Sequence, residues 1–344
     1  MGNSTEKQVE QRCRGGKMQV IDLSAEIMEL EEGLTAVRFD GDYKFADFLA
    51  QGGAFSDGEV VGFLAENLLD GVSLDGTMDN IFGCSTLAAV DSEGRVLFGR
   101  NFDWNHCDAM VVASYPEDGY ASISTVNVDF ITQGTGSGSV GMALELDQVR
   151  TLAALYAPLD GMNEKGFAIS VNMIQDSDTI EQNTDKPDIT TTTAVRLLLN
   201  QASDVEEALE ILGQYDMHAS MGFMVHFAMA DRSGRSVAVE YVDNEMVVVE
   251  TPVVTNFYLA EGEKQGIGTR QSHERFDILT ETIAEKPFMT QNEVRDALDS
   301  VSKDNFGEFE STEWSIVFDQ SALTAAYYHR ENYEKAYFFQ IMGK

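Results

Sequence analysis

Two four-residue turns of the same kind, Asp91-Ser92-Glu93-Gly94 and Asp231-Arg232-Ser233-Gly234, each separate two apolar alternating segments. Ser85–Val90 and Arg95–Asp103 flank the first; His226–Ala230 and Ser236–Tyr241 flank the second. Period-two alternation around a short Asp/Gly turn specifies an antiparallel hairpin. Further alternating stretches follow the same rule: Gly166–Met173, Glu245–Glu250, Val253–Asn256, Glu313–Asp319, Thr324–Arg330 and Tyr333–Ile341. Amphipathic helices are expected between them over Thr193–Gln201, Val205–Leu212 with Asp204 as cap, Ser272–Glu285 and Gln291–Val301. Strands in runs with helices grouped between them predict an α+β layered domain, not a βαβ alternation. Residues before Ser85 differ in texture. Ile27, Leu30 and Leu34 recur at helical spacing in Ser24–Leu34, as do Val60, Val61, Leu64, Leu68 and Leu69 in Asp57–Leu69. Residues 1–83 are therefore expected to be helical.

Charge and composition exclude several classes of function. The 344 residues carry 23 Lys+Arg against 58 Asp+Glu, a net charge of −35. Such a chain repels phosphate backbones and anionic membranes, so no nucleic-acid partner is expected. No apolar run approaches 18 residues and the first twenty lack an apolar h-region, so no membrane anchor or signal peptide is expected. These features predict a cytoplasmic protein, or a secreted one if a signal was removed. The three cysteines, Cys13, Cys84 and Cys107, form no CxxC pair, and the five histidines match no zinc spacing. Neither a metal nor a cofactor is expected.

Four local patterns compete as sites of chemistry. Gly136–Gly141 fits GxGxxG, with Asp160 as the acidic residue about twenty positions downstream. Without a βαβ frame it reads as a tight glycine loop. His226 sits in an alternating strand and reads as a packed, hydrogen-bonded histidine. His106 is the histidine nearest in sequence to Cys84, but lies in a polar loop; a Cys–His dyad there is the weaker reading. Cys13 and Cys107 carry no chemical context.

Cys84 stands apart, because it lies where helical texture gives way to strands, in Gly83-Cys84-Ser85-Thr86. A cysteine released at a new N-terminus offers a thiol nucleophile and an α-amine base in one residue. An ordinary strand-initiating cysteine fits the same residues. Arg100 and Asp103 lie on the return arm of the hairpin that Cys84 opens. Three positions apart, they face opposite sides of a regular strand; a bulge or strand end after Asn101 would bring both to the thiol. A guanidinium near sulfur favours thiolate, and a carboxylate holds a new ammonium.

The run Gly83–Trp104, GCSTLAAVDSEGRVLFGRNFDW, closely resembles the start of the mature chain in the N-terminal-nucleophile cysteine hydrolases. That group includes choloylglycine (bile salt) hydrolases, penicillin V acylases, acid ceramidase, N-acylethanolamine acid amidase and isopenicillin-N acyltransferase. The resemblance continues through Asp160–Asn172, HFAMADRSGRSVAVEY, Val254–Asn256, Ser272–Phe276 and Thr312–Asp319, and spans 84–344. It implies a four-layer αββα sandwich over 84–344, preceded by a helical pro-segment over 1–83 that is cleaved autocatalytically at Gly83/Cys84. It also implies hydrolysis of a non-peptide linear amide, of the N-acyl amide or conjugated bile acid type. Cys84 is then the nucleophile and its freed amine the base. Arg100 and Asp103 orient nucleophile and substrate, Asn172 and Asn256 form the oxyanion hole, and Arg275 closes the site.

Two departures from the bile salt hydrolases narrow the resemblance. Here 83 residues precede the cysteine, whereas those enzymes begin at it after Met removal. The stretch between Asn256 and Arg275 is too short for the hairpin that builds their tetramer. Both features resemble the ceramidase, amidase and acyltransferase members, in which a helical pro-segment is cut off. The substrate is expected to be a small amide with an apolar acyl part. The cleaved pro-segment can stay bound, and a homo-oligomer is left open. The alternatives are an acyltransferase of the isopenicillin-N type on the same scaffold and a non-enzymatic acidic binding protein.

Overall fold

The computed structural model describes residues 19–68, 83–132, 147–304 and 310–342. Cys13 and the glycine loop Gly136–Gly141 lie outside the described residues. The described residues open with β1 (Met28–Glu31) and β2 (Leu34–Asp40), an antiparallel pair. The helix expected over Ser24–Leu34 is therefore replaced by strands. Gly33 has φ 82°, the left-handed turn conformation that glycine adopts without strain. A Cβ there would lie 2.5 Å from Arg330 Nη2. Ile27 and Leu30 then pack into two different cores, which a single helical face could not do. Helices α1 (Phe45–Ala50) and α2 (Asp57–Asn67) follow, the latter as expected and capped by Ser56, whose Oγ accepts the Glu59 N–H.

From Gly83 onward the elements are β3 (Gly83–Val90), β4 (Val96–Trp104), β5 (Ala109–Tyr115), β6 (Ser122–Asn127), α3 (Val128–Thr132), α4 (Asp147–Tyr156), β7 (Asp160–Asn163) and β8 (Ala168–Met173). Then come β9 (Asp188–Thr190), α5 (Thr191–Gln201), α6 (Val205–Leu212), β10 (Asp216–His218), β11 (Val225–Ala230), β12 (Ser236–Val242), β13 (Glu245–Glu250) and β14 (Val253–Val254). The chain ends with α7 (Arg270–Glu285), α8 (Gln291–Asp299), β15 (Ser311–Asp319), β16 (Thr324–His329) and β17 (Tyr337–Gln340). Both predicted hairpins form, by one mechanism. In each turn the leading aspartate accepts the N–H two residues on, Asp91 from Glu93 and Asp231 from Ser233, and the closing glycine takes a positive φ.

Two sheets stack face to face. The first has nine strands in the order β1-β2-β5-β6-β7-β8-β11-β12-β13; the second has six, β14-β3-β4-β15-β16-β17. Leu34, Ile123, Met162, Phe102, Trp314 and Phe318 belong to the core between them. Helices α4, α5 and α6 cover the outer face of the nine-stranded sheet with Leu155, Leu198 and Ala208. Helices α7 and α8 cover the outer face of the six-stranded sheet with Leu279, Val294 and Leu298. The result is a four-layer αββα sandwich.

The segment before Cys84 is woven into this sandwich. Strand β2 pairs in parallel with β5 from Leu34↔Ala109 to Asp40↔Tyr115. Tyr43, Phe45 and Phe48 are buried in the core beneath α4 and α5, and Tyr43 Oη donates to Asn200 Oδ1 at 2.8 Å.

Candidate active site

Cys84 is the second residue of β3, and alternation sends its side chain between the sheets, where it is 3% exposed. Its partner on β4 is Phe102, so Arg100, two residues further, points into the same layer. Arg100 Nη2 lies 3.5 Å from Cys84 Sγ. The guanidinium is fully buried and spans the gap to the nine-stranded sheet. It donates to the Leu159 and Val171 carbonyls, both at 2.9 Å, and to the Asp160 carboxylate. Trp314 Nε1 donates to the same Asp160 oxygen at 2.9 Å. Burial alone would discharge Arg100, but Asp160 and the Cys84 sulfur hold its pKa above the ordinary value. Asp160 thus serves as the buried counter-ion of Arg100.

The thiol itself does not follow the sequence expectation. Burial pushes its pKa above the ordinary value; Arg100 counters only part of that, and Asp103 adds to it. In the continuous chain the sulfur is held as a thiol.

Asp103 faces the other way. Strand β4 is regular opposite β3, with no bulge after Asn101; the irregularity lies on β15, between Thr312 and Trp314. Asp103 therefore points toward α7 and α8, opposite Gly83 rather than against the sulfur. Its carboxylate accepts from Thr312 Oγ1 at 2.7 Å and Arg275 Nη1 at 3.1 Å, with Lys303 Nζ at 3.8 Å. A Cβ on Gly83 would lie 2.6 Å from Lys303 Nζ and 2.8 Å from Asp103 Oδ2. The residue before Cys84 sits in a charged crevice that admits a side chain only if Lys303 and Asp103 move.

Arg275 and Asn256 complete the cluster around the Cys84 backbone. Thr269 caps α7, accepting the Ser272 N–H, and the first turns of that helix deliver Arg275 to the sheet edge. Arg275 Nη1 donates to Cys84 O at 2.9 Å and Ser85 Oγ at 2.6 Å, and Nη2 to Asn256 Oδ1 at 2.8 Å. The same Asn256 oxygen accepts the Cys84 N–H at 2.7 Å, while Asn256 Nδ2 donates to Met173 O at 2.6 Å. Asn172, buried on β8, is held by Ser170 Oγ at 2.6 Å and lies 3.4 Å from Val254 O. Five of the six expected residues form one contact network; Asn172 stands at its edge, touching the backbone of β14.

His106 lies on the surface against Arg330 Nη2. Cys107 is buried, its N–H donating to Glu313, and burial raises its thiol well above the ordinary value. Sequence reasoning missed Lys303 and Thr312, which only the pairing of β4 with β15 brings to Asp103. It also missed the aromatic side chains packed in the layer of Cys84. Phe102 stacks on Trp314 at 3.9 Å between ring centroids, and Trp104 meets Phe130 edge-on at 4.8 Å and Phe223 at 6.3 Å. Phe130 and Phe223 are half-buried. Among the described residues no group of three or more His, Cys, Asp and Glu side chains is placed to hold a metal ion. No helix among them is long and apolar enough to cross a membrane.

The αββα layering, with a cysteine at the head of an inner strand, is the architecture of the N-terminal-nucleophile hydrolases. The description of the linear amide C-N hydrolases, choloylglycine hydrolase family, matches residues 84–257. The chain belongs to that family. Two variants of the conjugated bile acid hydrolase from Clostridium perfringens superpose with TM-scores of 0.54, at 18% and 17% identity. Each alignment covers 75% of this chain and 92% of the other. The penicillin V acylase from Agrobacterium tumefaciens gives a TM-score of 0.49 at 17% identity, over 72% of this chain and 83% of that one. None of the curated proteins matches the chain in sequence.

Proposed function

We propose that the chain is a precursor that cuts its own Gly83–Cys84 bond and then hydrolyses a small linear amide with an apolar acyl part. The observation that carries the reading is the arrangement around Cys84. Its sulfur lies beside Arg100, and its backbone nitrogen is already held by Asn256 Oδ1, where a free α-amine would sit. In self-cleavage Sγ adds to the Gly83 carbonyl carbon. The C–N bond breaks, the thiol proton ends on the released nitrogen, and a thioester joins Gly83 to Sγ. Water then splits the thioester, leaving a Gly83 carboxylate, a thiol and an α-amine.

The freed amine, with an ordinary pKa of about 8, takes the thiol proton during attack on a substrate amide. It returns that proton to the departing amine nitrogen, and water releases the acid. Arg100 steadies developing thiolate, and Asp103 with Arg275 holds the ammonium side. Asn256 and Asn172 offer amide N–H groups to the tetrahedral oxyanion, a contribution of about 10²–10³ in rate for one well-aimed donor. Phe130, Phe223 and Trp104 offer the apolar surface for the acyl chain. The short-chain fragment ending at Gly83 stays attached after cleavage, because β2 remains paired with β5 and Tyr43, Phe45 and Phe48 remain buried.

The intact mass of the purified protein, followed over time and pH, tests the reading. Two fragments meeting at Gly83/Cys84 that co-elute under native conditions are expected, with none from Cys84→Ala. A Cys84→Ala chain that is still cut, or a wild-type chain that stays whole at every pH, overturns it. In amide turnover, free acid is expected as the main product even with a competing amine present.

A further inference from the structure

We propose that the buried His226–Glu240 pair is the positioning device for Asn256, and through it for the Cys84 nitrogen; this rests on the reading of Asn256 as part of the reactive centre. Both side chains are fully buried. His226 Nδ1 lies 2.9 Å from Glu240 Oε1, and Nε2 lies 2.8 Å from the carbonyl oxygen of Thr255. A carbonyl can only accept, so Nε2 carries a proton. Burial pushes the Glu240 pKa up, but His226 and the N–H groups of Leu259 and Ala260 more than reverse that, so the carboxylate is ionised and also accepts. The ring thus bridges the Thr255 carbonyl and the Glu240 carboxyl group.

The remaining lone pairs of Glu240 accept the N–H of Leu259 at 2.8 Å and of Ala260 at 2.9 Å. The segment 255–260 thus hangs from one His–Glu pair at three backbone points, and Asn256 lies inside it. Two further links extend the reach of the pair. His226 is the register partner of Asn172 on β8, and Thr255 Oγ1 donates to Ser272 O in the first turn of α7, three residues before Arg275. One histidine therefore ties together the strand of Asn172, the loop of Asn256 and the helix of Arg275.

Stability alone gives no reason for such a pair. Well-packed apolar residues of similar volume are commonly as stable as a buried ion pair, or more so. What apolar residues cannot supply is a donor for Thr255 O and acceptors for two loop amides, the groups that set the direction of Asn256. His226 and Glu240 touch none of the atoms that react, so they are positioning residues.

Amide hydrogen exchange in the uncleavable Cys84→Ala chain tests the proposal without relying on self-cleavage. The bond from the residue-84 N–H to Asn256 Oδ1 protects that amide. Adding Glu240→Gln is expected to speed exchange at residue 84 at least tenfold while β16 amides keep their protection. Unchanged protection at residue 84 in the folded variant overturns the proposal. With Cys84 restored, Glu240→Gln and His226→Gln are each expected to slow self-cleavage at least tenfold at 20 °C, in protein whose circular dichroism is native. The double variant, in which two amides face each other, is expected to recover part of the rate. Wild-type rates in both folded single variants overturn the proposal. If wild-type protein itself stays whole, the self-cleavage reading fails, and the exchange result still decides the role of the pair.

Discussion

Two arginines are completely buried on opposite faces of the nine-stranded sheet, and they are handled in opposite ways. Arg100 enters the layer between the sheets and meets a carboxylate, two carbonyls and a thiol. Arg196, on α5, lies against the outer face and donates to neutral oxygens, Leu155 O at 2.7 Å and Ser122 Oγ and Ser124 Oγ at 3.0 Å, with the Tyr43 ring 6.0 Å away. Burial accordingly draws the Arg196 pKa below its ordinary value, whereas Asp160 holds that of Arg100 above it. Where the chain needs a fixed positive charge beside a sulfur, it buries a counter-ion with it. Where it needs only a rigid multi-donor wedge between helix and strand, it omits one. Ser122 and Ser124 flank Ile123, whose side chain points to the opposite core, so a single strand serves both layers.

The comparison is sharpened most by removing each guanidinium in turn. Arg100→Met strips the counter-charge from Asp160, which among the described residues keeps Trp314 Nε1 as its side-chain donor. Leaving one member of a buried pair is expected to cost about 3–5 kcal/mol of stability. Self-cleavage is expected to fall by at least about 100-fold, since the sulfur loses its adjacent cation, an effect of about 2.7 kcal/mol or more. Arg196→Met leaves orphaned acceptors but no orphaned charge. Its cost is expected near 1–3 kcal/mol, with self-cleavage at 20 °C unchanged. Urea unfolding and intact mass over time read both variants. An Arg196→Met protein that is folded yet fails to cut itself would break the distinction drawn between the two faces. Gly83→Val should also block cleavage, because its side chain collides with Lys303 and Asp103. A cut Gly83→Val chain would show that the crevice yields.

The contrast also explains what the sequence made legible. The late strands were readable because each alternates and each hairpin carries its own Asp/Gly turn. Ser24–Leu34 was misread because three apolar residues at i, i+3 and i+7 satisfy a helix, while the decisive residue was Gly33, a turn between two short strands. The five expected residues that meet around Cys84 were readable because their order along the chain matches one family. Asp160 was visible as a poor nucleotide-binding candidate and as the first residue of a family-like run, but without a role, for nothing near it in sequence announces a partner 60 residues upstream. Lys303, Thr312 and the His226–Glu240 pair owe their places to sheet register, which no local pattern encodes.

The smallest expected effect lies at the rim, where β1 meets β16 and β17. Glu31 accepts from His329 Nδ1 at 2.8 Å, Lys335 Nζ at 2.5 Å and Tyr337 Oη at 2.7 Å. Burial alone would raise its pKa, but Lys335, Tyr337 and His329 draw it from 4.5 down to about 2. A lowered carboxylate contributes stability that is complete above the unfolded value and is lost as pH falls through the folded one. The contribution is therefore full at pH 7 and fades between pH 4.5 and 2. Glu31 is partly exposed, so after screening about 1–2 kcal/mol is expected at pH 7. Glu31→Gln should unfold at lower urea than wild type at pH 7, and the gap should close as pH approaches 2. Because Glu31 belongs to the segment before Cys84, acid should also loosen that segment from the cleaved wild-type protein more than it loosens it from Glu31→Gln. Equal urea midpoints at pH 7 would show that the Glu31 contacts at the rim add no net stability.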